Sequence, residues 1–346
     1  MDRTCFLPPH VLRSIAENGS PQQRALARRS LTLDRHARAL RASLVPSARA
    51  RTETAAARGT KQRAICDARN EETLPGSVVR KEGAPSTGDL AADEAYDHLG
   101  TTYDFFWSAY ARHSIDDEGL PLRATVHFGR EYDNAFWNGE RMVFGDGDGD
   151  LFNRFTLCLD VVGHELSHGV TEYTARLAYA QQAGALNESV SDVFGSLLKQ
   201  WKLDQTAAQA DWLIGAGLFT KKVHGEALRS MKAPGTAYDD PVLGKDPQPD
   251  HWSGFVRTPE DNGGVHINSG IPNRAFYLVA LGLGGRAWEK AGRIWYEALR
   301  DPKLKPGSGF KAFAKRIAAS AGRLYGAHGS EEKAVRDAWR QVGIEI

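Results

Sequence analysis

The chain predicts an α+β fold of two lobes, a strand-rich N-terminal lobe and a helical C-terminal lobe with a cleft between them, preceded by a short helical arm. Three observations carry this. Between Ile65 and Phe155 short apolar or alternating runs are broken by Gly, Asp and Asn, the pattern of strands joined by tight turns. From Asn187 onward apolar residues recur at helical spacing. At the junction stands His164-Glu165-Leu166-Ser167-His168, whose two histidines share one face of a helix. With 346 residues, 41% hydrophobic and 25% charged, the chain can bury a large core.

In chain order, a first helix runs from Pro9 through Val11, Leu12 and Ile15 to a stop at Gly19. Ser20-Pro21-Gln22-Gln23 then reads as an N-cap, a proline at the first helical position and a capping-box glutamine. The helix it opens offers Leu26, Leu33, Ala37, Leu40 and Leu44 for contact. Helices this small are unstable alone, so they need the body of the protein as a partner surface. Residues 46–60 are small, polar and weakly patterned, which suits an exposed, cleavable linker. Strands are expected at 77–80, 124–128 and 141–144, with one helix from Leu90 to Trp107 between them. The spacing predicts later helices over 212–219, 271–281, 287–299, 310–324 and 331–342. The resulting division is 1–52 for the arm and linker, 53–186 for the β-rich lobe including the 164–168 helix, and 187–346 for the helical lobe.

The chemistry starts at 164–168. Histidines at i and i+4 lie one turn apart, so both rings can reach one metal ion. Glu165, turned about 100° from His164, need not be a ligand and is placed to take a proton from a metal-bound water. Val161, Val162, Leu166, Val170 and Tyr173 supply the apolar stripe that such a helix needs. Downstream, Asn187-Glu188-Ser189-Val190-Ser191-Asp192 puts Glu188 and Asp192 on one face of a second helix. If the two helices pack together, Glu188 completes a His-His-Glu set with one position left for water, the pattern of a catalytic zinc site. Asp192 is then placed to accept the free ring N–H of a ligand histidine. The alternative is a pair of amphipathic helices with ordinary polar faces.

These blocks, His164-Glu165-Leu166-Ser167-His168-Gly169-Val170-Thr171-Glu172-Tyr173 and Gly184-Ala185-Leu186-Asn187-Glu188-Ser189-Val190-Ser191-Asp192, resemble the thermolysin family of metalloendopeptidases. Asp133-Asn134-Ala135-Phe136-Trp137, Leu228-Arg229-Ser230-Met231 and Asp261-Asn262-Gly263-Gly264-Val265-His266 follow in the same order. The short N-terminal region, with Pro8-Pro9-His10-Val11-Leu12, is most similar to the protealysin group. The resemblance implies a monomeric precursor carrying one catalytic zinc and acting on peptides or proteins. Its prosegment would inhibit it from near the cleft until maturation. By matching motif, His266 would donate to the developing oxyanion, Asp261 would hold the His266 ring charged and oriented, and Tyr179 would be a second donor. Asn134 and the Ala135 backbone would hold an extended peptide, while Arg229 would grip the carbonyl beyond the scissile bond. Phe152, Phe155, Val161, Ile214, Leu218 and Leu228 would line the pocket after that bond, so cleavage before Leu, Phe, Ile or Val is expected. Cys5 invites a thiolate-on-zinc switch, although an exposed cysteine in a flexible segment is the commoner case. A zinc aminopeptidase and a noncatalytic peptide-binding pseudoenzyme held by its prosegment are the alternatives.

Thermolysin itself carries a double calcium site of acidic side chains; here Lys199 stands among those positions and only Asp160 and Asp211 remain. A lysine offers calcium no oxygen, so at most one weak calcium is expected, near Thr220 and Glu226. The Asp146-Gly147-Asp148-Gly149-Asp150 run fails the EF-hand pattern because Leu151 takes the place of the turn glycine.

Charge and cysteines narrow the remaining classes. Residues 1–58 hold eleven Arg and four acids, so against a whole-chain net charge of +1 the body is acidic and can attract its basic arm. Neither this balance nor any long apolar run argues for nucleic acid or membrane binding. Cys5, Cys66 and Cys158 are too few and too scattered for a disulfide framework. The first residues lack the apolar core of a signal peptide, so the expectation is secretion by an unconventional route or accumulation in a bacterial cytoplasm.

Overall fold

The computed structural model describes residues 5–43 and 56–346. The arm forms α1 (Pro9–Asn18) and α2 (Pro21–Ser43). Gly19 ends α1 with its N–H on the Ile15 carbonyl, and Ser20 and Gln23 make the expected reciprocal cap at 2.7 and 3.3 Å. The buried face of α2 differs from the expected leucine stripe. Ala27, Ser30 and Asp34 are buried while Leu26 and Leu33 are only partly covered, because the surface beneath offers polar partners as well as apolar ones. Ala37, Leu40 and Leu44, and most of the linker, lie outside the residues whose side chains are described.

The strand-rich lobe holds β1 (Arg63–Asp67), β2 (Ser77–Lys81), α3 (Leu90–Tyr110), β3 (Leu122–Val126), β4 (Ala135–Trp137) and β5 (Met142–Phe144). Its five-stranded sheet has the order β2-β1-β3-β5-β4, parallel at β1/β3 and β3/β5 and antiparallel at both edges. Placing β4 at an edge leaves one rim of its backbone open to a further extended chain. Asp89 caps α3 by accepting from Ala92 N at 2.8 Å.

Two helices then cross the middle of the molecule, α4 (Leu159–Glu172) and α5 (Gln181–Lys202). They approach closely because each carries a glycine at the crossing: a Cβ on Gly195 would lie 2.6 Å from the Asp160 carbonyl oxygen, and one on Gly163 2.5 Å from Leu198 Cδ2. Beyond them come the short pairs β6 (Leu213–Ile214) with β7 (Arg229–Ser230) and β8 (Asp239–Asp240) with β9 (Gly244–Lys245). The helical remainder is α6 (Asp261–Asn268), α7 (Gly270–Leu283), α8 (Ala291–Leu299), α9 (Phe310–Tyr325) and α10 (Ser330–Gln341). The helix expected over 212–219 is absent. Trp212, Gly215 and Gly217 take φ values of 59°, 73° and 92°, which break helical geometry, and Ile214 pairs with Arg229 instead.

Among the described residues no helix is long and apolar enough to cross a membrane. All three cysteines are free and buried.

Candidate active site

The α4–α5 crossing brings three candidate ligand groups into one buried cluster. His164, His168 and Glu188 each offer a donor atom, and these atoms lie within 4.8 Å of one another. His164 Nδ1 faces Asp192 Oδ1 at 2.8 Å and His168 Nδ1 faces Asn187 Oδ1 at 2.8 Å. Those acceptors assign the ring proton to Nδ1 in both histidines, leaving both Nε2 lone pairs aimed at the same space. The two Nε2 atoms are 3.0 Å apart, and Glu188 oxygens sit 3.4 Å from one and 3.5 Å from the other. Converging lone pairs and a buried carboxylate repel unless a cation stands between them. Two imidazoles and one carboxylate are a donor set that zinc fits.

The surrounding charges hold this set in place. Burial works against a charged His164, yet its hydrogen bonds to the Asp192 and Glu188 carboxylates raise its pKa to about 9. Burial likewise opposes ionisation of Glu188, but His266, His168 and His164 hold its carboxyl well below the usual range. Asp192 is pulled down to about 2 against its own burial by Arg229 and His164. Arg229 grips both Asp192 oxygens at 2.8 Å, and Asn273 Nδ2 adds a further 2.8 Å bond.

Glu165, on the same turn of α4, accepts from the Trp137 backbone N–H at 3.0 Å. His266 stands opposite. It is reached by an unusual turn in which Asp261, Asn262, Gly263 and Gly264 all have positive φ, 50°, 53°, 94° and 72°. This left-handed run curls the Asp261 carboxylate back onto His266, 2.9 Å from its N–H and 2.7 Å from Nδ1. Asp261 and Glu188 thereby raise the His266 pKa in spite of burial. Tyr179 is brought to the cluster, but its hydroxyl donates to Glu188 Oε1 and lies 3.2 Å from His266 Nε2. Asn134 and Ala135 line the open edge of β4, while Phe152, Phe155, Val161, Ile214, Leu218 and Leu228 all lie in one buried apolar core. Sequence reasoning missed Asn187, Asn273 and the Trp137 N–H. Asn187 had a visible signal, since it directly precedes Glu188 at the start of the ligand-bearing turn.

The cleft is filled by the arm's own N-terminal residues. Cys5 O lies 3.1 Å from His266 Nε2, Phe6 N donates to Ala135 O at 3.0 Å, and Leu7 N donates to Asn134 Oδ1 at 2.8 Å. Phe6 sits edge-on to His164, with ring centroids 5.3 Å apart, and beneath the Arg229 guanidinium at 4.7 Å. The Cys5 side chain packs with Phe128, Tyr132, Phe136 and Val143 and is not in the ligand set. Cys5 is buried rather than exposed, and its carbonyl faces the active site.

Family profiles described as thermolysin metallopeptidase, catalytic domain, and thermolysin metallopeptidase, alpha-helical domain, match residues 43–172 and 175–344. A relative named extracellular metalloprotease, from Pectobacterium carotovorum subsp. carotovorum, is 54% identical over 98% of this chain and 96% of its own. The chain belongs to the thermolysin family. A third profile, protealysin propeptide, matches residues 5–47, so the arm is a propeptide of that type. Protease PrtS of Photorhabdus sp. (strain Az29) is 48% identical over 99% of this chain and 92% of its own. The solved precursor of protealysin, a metalloproteinase from Serratia proteamaculans, superimposes with a TM-score of 0.91 at 54% identity, covering 99% of each chain. This thermolysin-family chain is thus a zinc metalloprotease precursor, and neither the aminopeptidase nor the pseudoenzyme alternative finds support.

Proposed function

We propose that the mature enzyme is a neutral endopeptidase that cleaves internal bonds before bulky apolar residues, and that residues 1–52 inhibit it until they are removed. The path of Cys5, Phe6 and Leu7 carries this reading, because their backbone groups meet Ala135, Asn134 and His266 as an extended peptide would. Bound by His164, His168 and Glu188, zinc would polarise the substrate carbonyl and bring the pKa of a water down to about 7. Glu165, held by the Trp137 N–H, takes the proton from the attacking water and returns it to the leaving nitrogen. His266, oriented by Asp261, donates to the carbonyl oxygen with a bond that strengthens as negative charge builds there. Tyr179 adds a second donor once its hydroxyl turns from Glu188. Arg229, fixed by Asp192, binds the carbonyl one residue further on. The apolar pocket of Phe152, Phe155, Val161, Ile214, Leu218 and Leu228 rewards a large side chain by about 25 cal/mol per Å² of apolar surface covered.

Maturation falls in the linker, leaving the lobes 53–186 and 187–346 as a monomer with an extracellular site of action. We assign no calcium to the place filled by Lys199, and at most one weak ion elsewhere. The test is a fluorogenic peptide blocked at both ends, with Leu or Phe after the scissile bond, given to the mature enzyme. Cleavage that stops with a chelator and returns with zinc is expected. Cleavage confined to peptides with a free amino end, or none at all, would overturn the reading.

A further inference from the structure

The arm threads the cleft in a definite direction and register. Cys5 O faces His266 Nε2 at 3.1 Å. The next N–H, that of Phe6, faces the Ala135 carbonyl at 3.0 Å, and the next carbonyl, again of Phe6, accepts from Arg229 Nη1 at 3.4 Å. Asn134 closes the run by bonding both Leu7 N and Leu7 O, at 2.8 and 3.4 Å. The carbonyl at the oxyanion donor is therefore followed by one whose oxygen the arginine holds, which is the order a substrate would present. Side chains agree with the backbone. The Phe6 ring lies against Gly215, where an added Cβ would stand 3.4 Å from Phe6 Cζ and 3.5 Å from Leu228 Cβ. Cys5, a small apolar residue, sits on the other side of the bond among Phe128, Tyr132 and Phe136.

We propose that the Cys5–Phe6 peptide bond is a cleavage site of the enzyme's own active centre, hydrolysed within the same molecule. The inference rests on the endopeptidase reading above. One water is consumed: its oxygen bonds to the Cys5 carbonyl carbon as the bond to Phe6 nitrogen breaks. Its proton passes through Glu165 to that nitrogen, leaving a carboxylate on Cys5 and an amino group on Phe6. A second molecule cannot reach this bond, since Cys5 is 3% exposed and Phe6 0%. After the cut, residues 6–43 stay docked through α1 and α2, while residues 1–5 lose their covalent tether. The arm then holds the cleft from one side of the catalytic groups only, as a cleavage product does.

The experiment follows the zinc-loaded, full-length chain at two concentrations tenfold apart, by intact mass and N-terminal sequencing. A chain beginning at Phe6 should appear at the same fractional rate at both concentrations. Glu165→Gln should slow its appearance by about 100-fold or more. Phe6→Gly, which empties the pocket but keeps the backbone contacts, should slow it by about tenfold or more, with zinc content and circular dichroism unchanged. A rate that grows in proportion to concentration assigns the cut to a second molecule and overturns the proposal. If no Phe6 terminus forms although the matured preparation cleaves a blocked peptide, self-cleavage is overturned and the endopeptidase reading stands. If neither reaction occurs, both fall.

Discussion

Lys199→Met removes one ammonium group and little volume, and its effect can be worked from the contacts. Lys199 Nζ lies 3.0 Å from Asp160 Oδ2, 3.0 Å from Asp211 Oδ1 and 2.7 Å from the Leu213 carbonyl. Asp211 is half in water, so losing that contact matters little. Asp160 is different. It is buried in the first turn of α4, and among the described residues its Oδ2 without the lysine keeps the Gly215 N–H at 3.2 Å alone. An ion pair broken on one side in such a setting costs about 3–5 kcal/mol. Spread over the unfolding entropy of a chain this long, that is a fall in melting temperature of about 4–7 °C. Scanning calorimetry on a Glu165→Gln background, which suppresses self-digestion, reads it directly. Millimolar calcium should move the melt of the wild-type lysine chain little, whereas Lys199→Glu, which adds a third carboxylate where the ammonium stood, should make the melt strongly calcium-dependent. A Lys199→Met melt indistinguishable from that of the lysine chain, or a large calcium shift with the lysine present, would refute the reasoning.

Docking of the arm should weaken in acid. His10 on α1 lies against Tyr238, and burial lowers its pKa from 6.5 to about 4, with Asp261 opposing and His266, Arg229 and Arg13 adding to the fall. A depressed histidine stabilises docking fully above pH 6.5, and this is lost as pH falls towards the depressed value, up to about 3 kcal/mol in all. Hydrogen exchange of the arm in the Glu165→Gln precursor should therefore lose protection as pH falls from 6.5 towards about 4, and His10→Gln should flatten that slope; equal slopes would count against it. Asp192→Ala should weaken zinc binding by about 10–100-fold in a chelating-dye competition without removing a ligand. Glu188→Ala should lose stoichiometric zinc, and full occupancy would defeat its assignment as a ligand. Wild-type chain should shed roughly 50 N-terminal residues while Glu165→Ala stays full length at the linker; equal trimming of both would end the autocatalytic claim.

The parts legible from sequence are those in which local pattern and tertiary outcome coincide. The i, i+4 pairs at 164/168 and 188/192 are helical facts, and helix packing carries them into one cluster with no further information needed. The cap at Ser20 and Gln23 was readable for the same reason. What escaped depends on contacts between distant segments. The 212–219 stretch has helical spacing, but glycines with positive φ and pairing to β7 decide its conformation. The polar face of α2 could not be foreseen, because Asp34 is buried to receive Tyr132 Oη and Asn134 Nδ2, at 2.6 and 3.0 Å, from about a hundred residues away. Burial of Cys5 escaped for the same reason, because it depends on the bonding of Phe6 to Ala135, about 130 residues away.

The close crossing of α4 and α5 has a consequence for reading other sequences. The ligand atoms ride on two separate helices, so the bite offered to the ion is a distance between helix axes. That distance depends on the missing side chain at Gly195, two turns along from Glu188. A methyl group there acts as a wedge, prising the carboxylate from the imidazoles while every ligand residue remains in place. A survey that scores only the histidines and the glutamate would pass such a chain as competent, although its metal grip had been lost to a residue that never touches the metal.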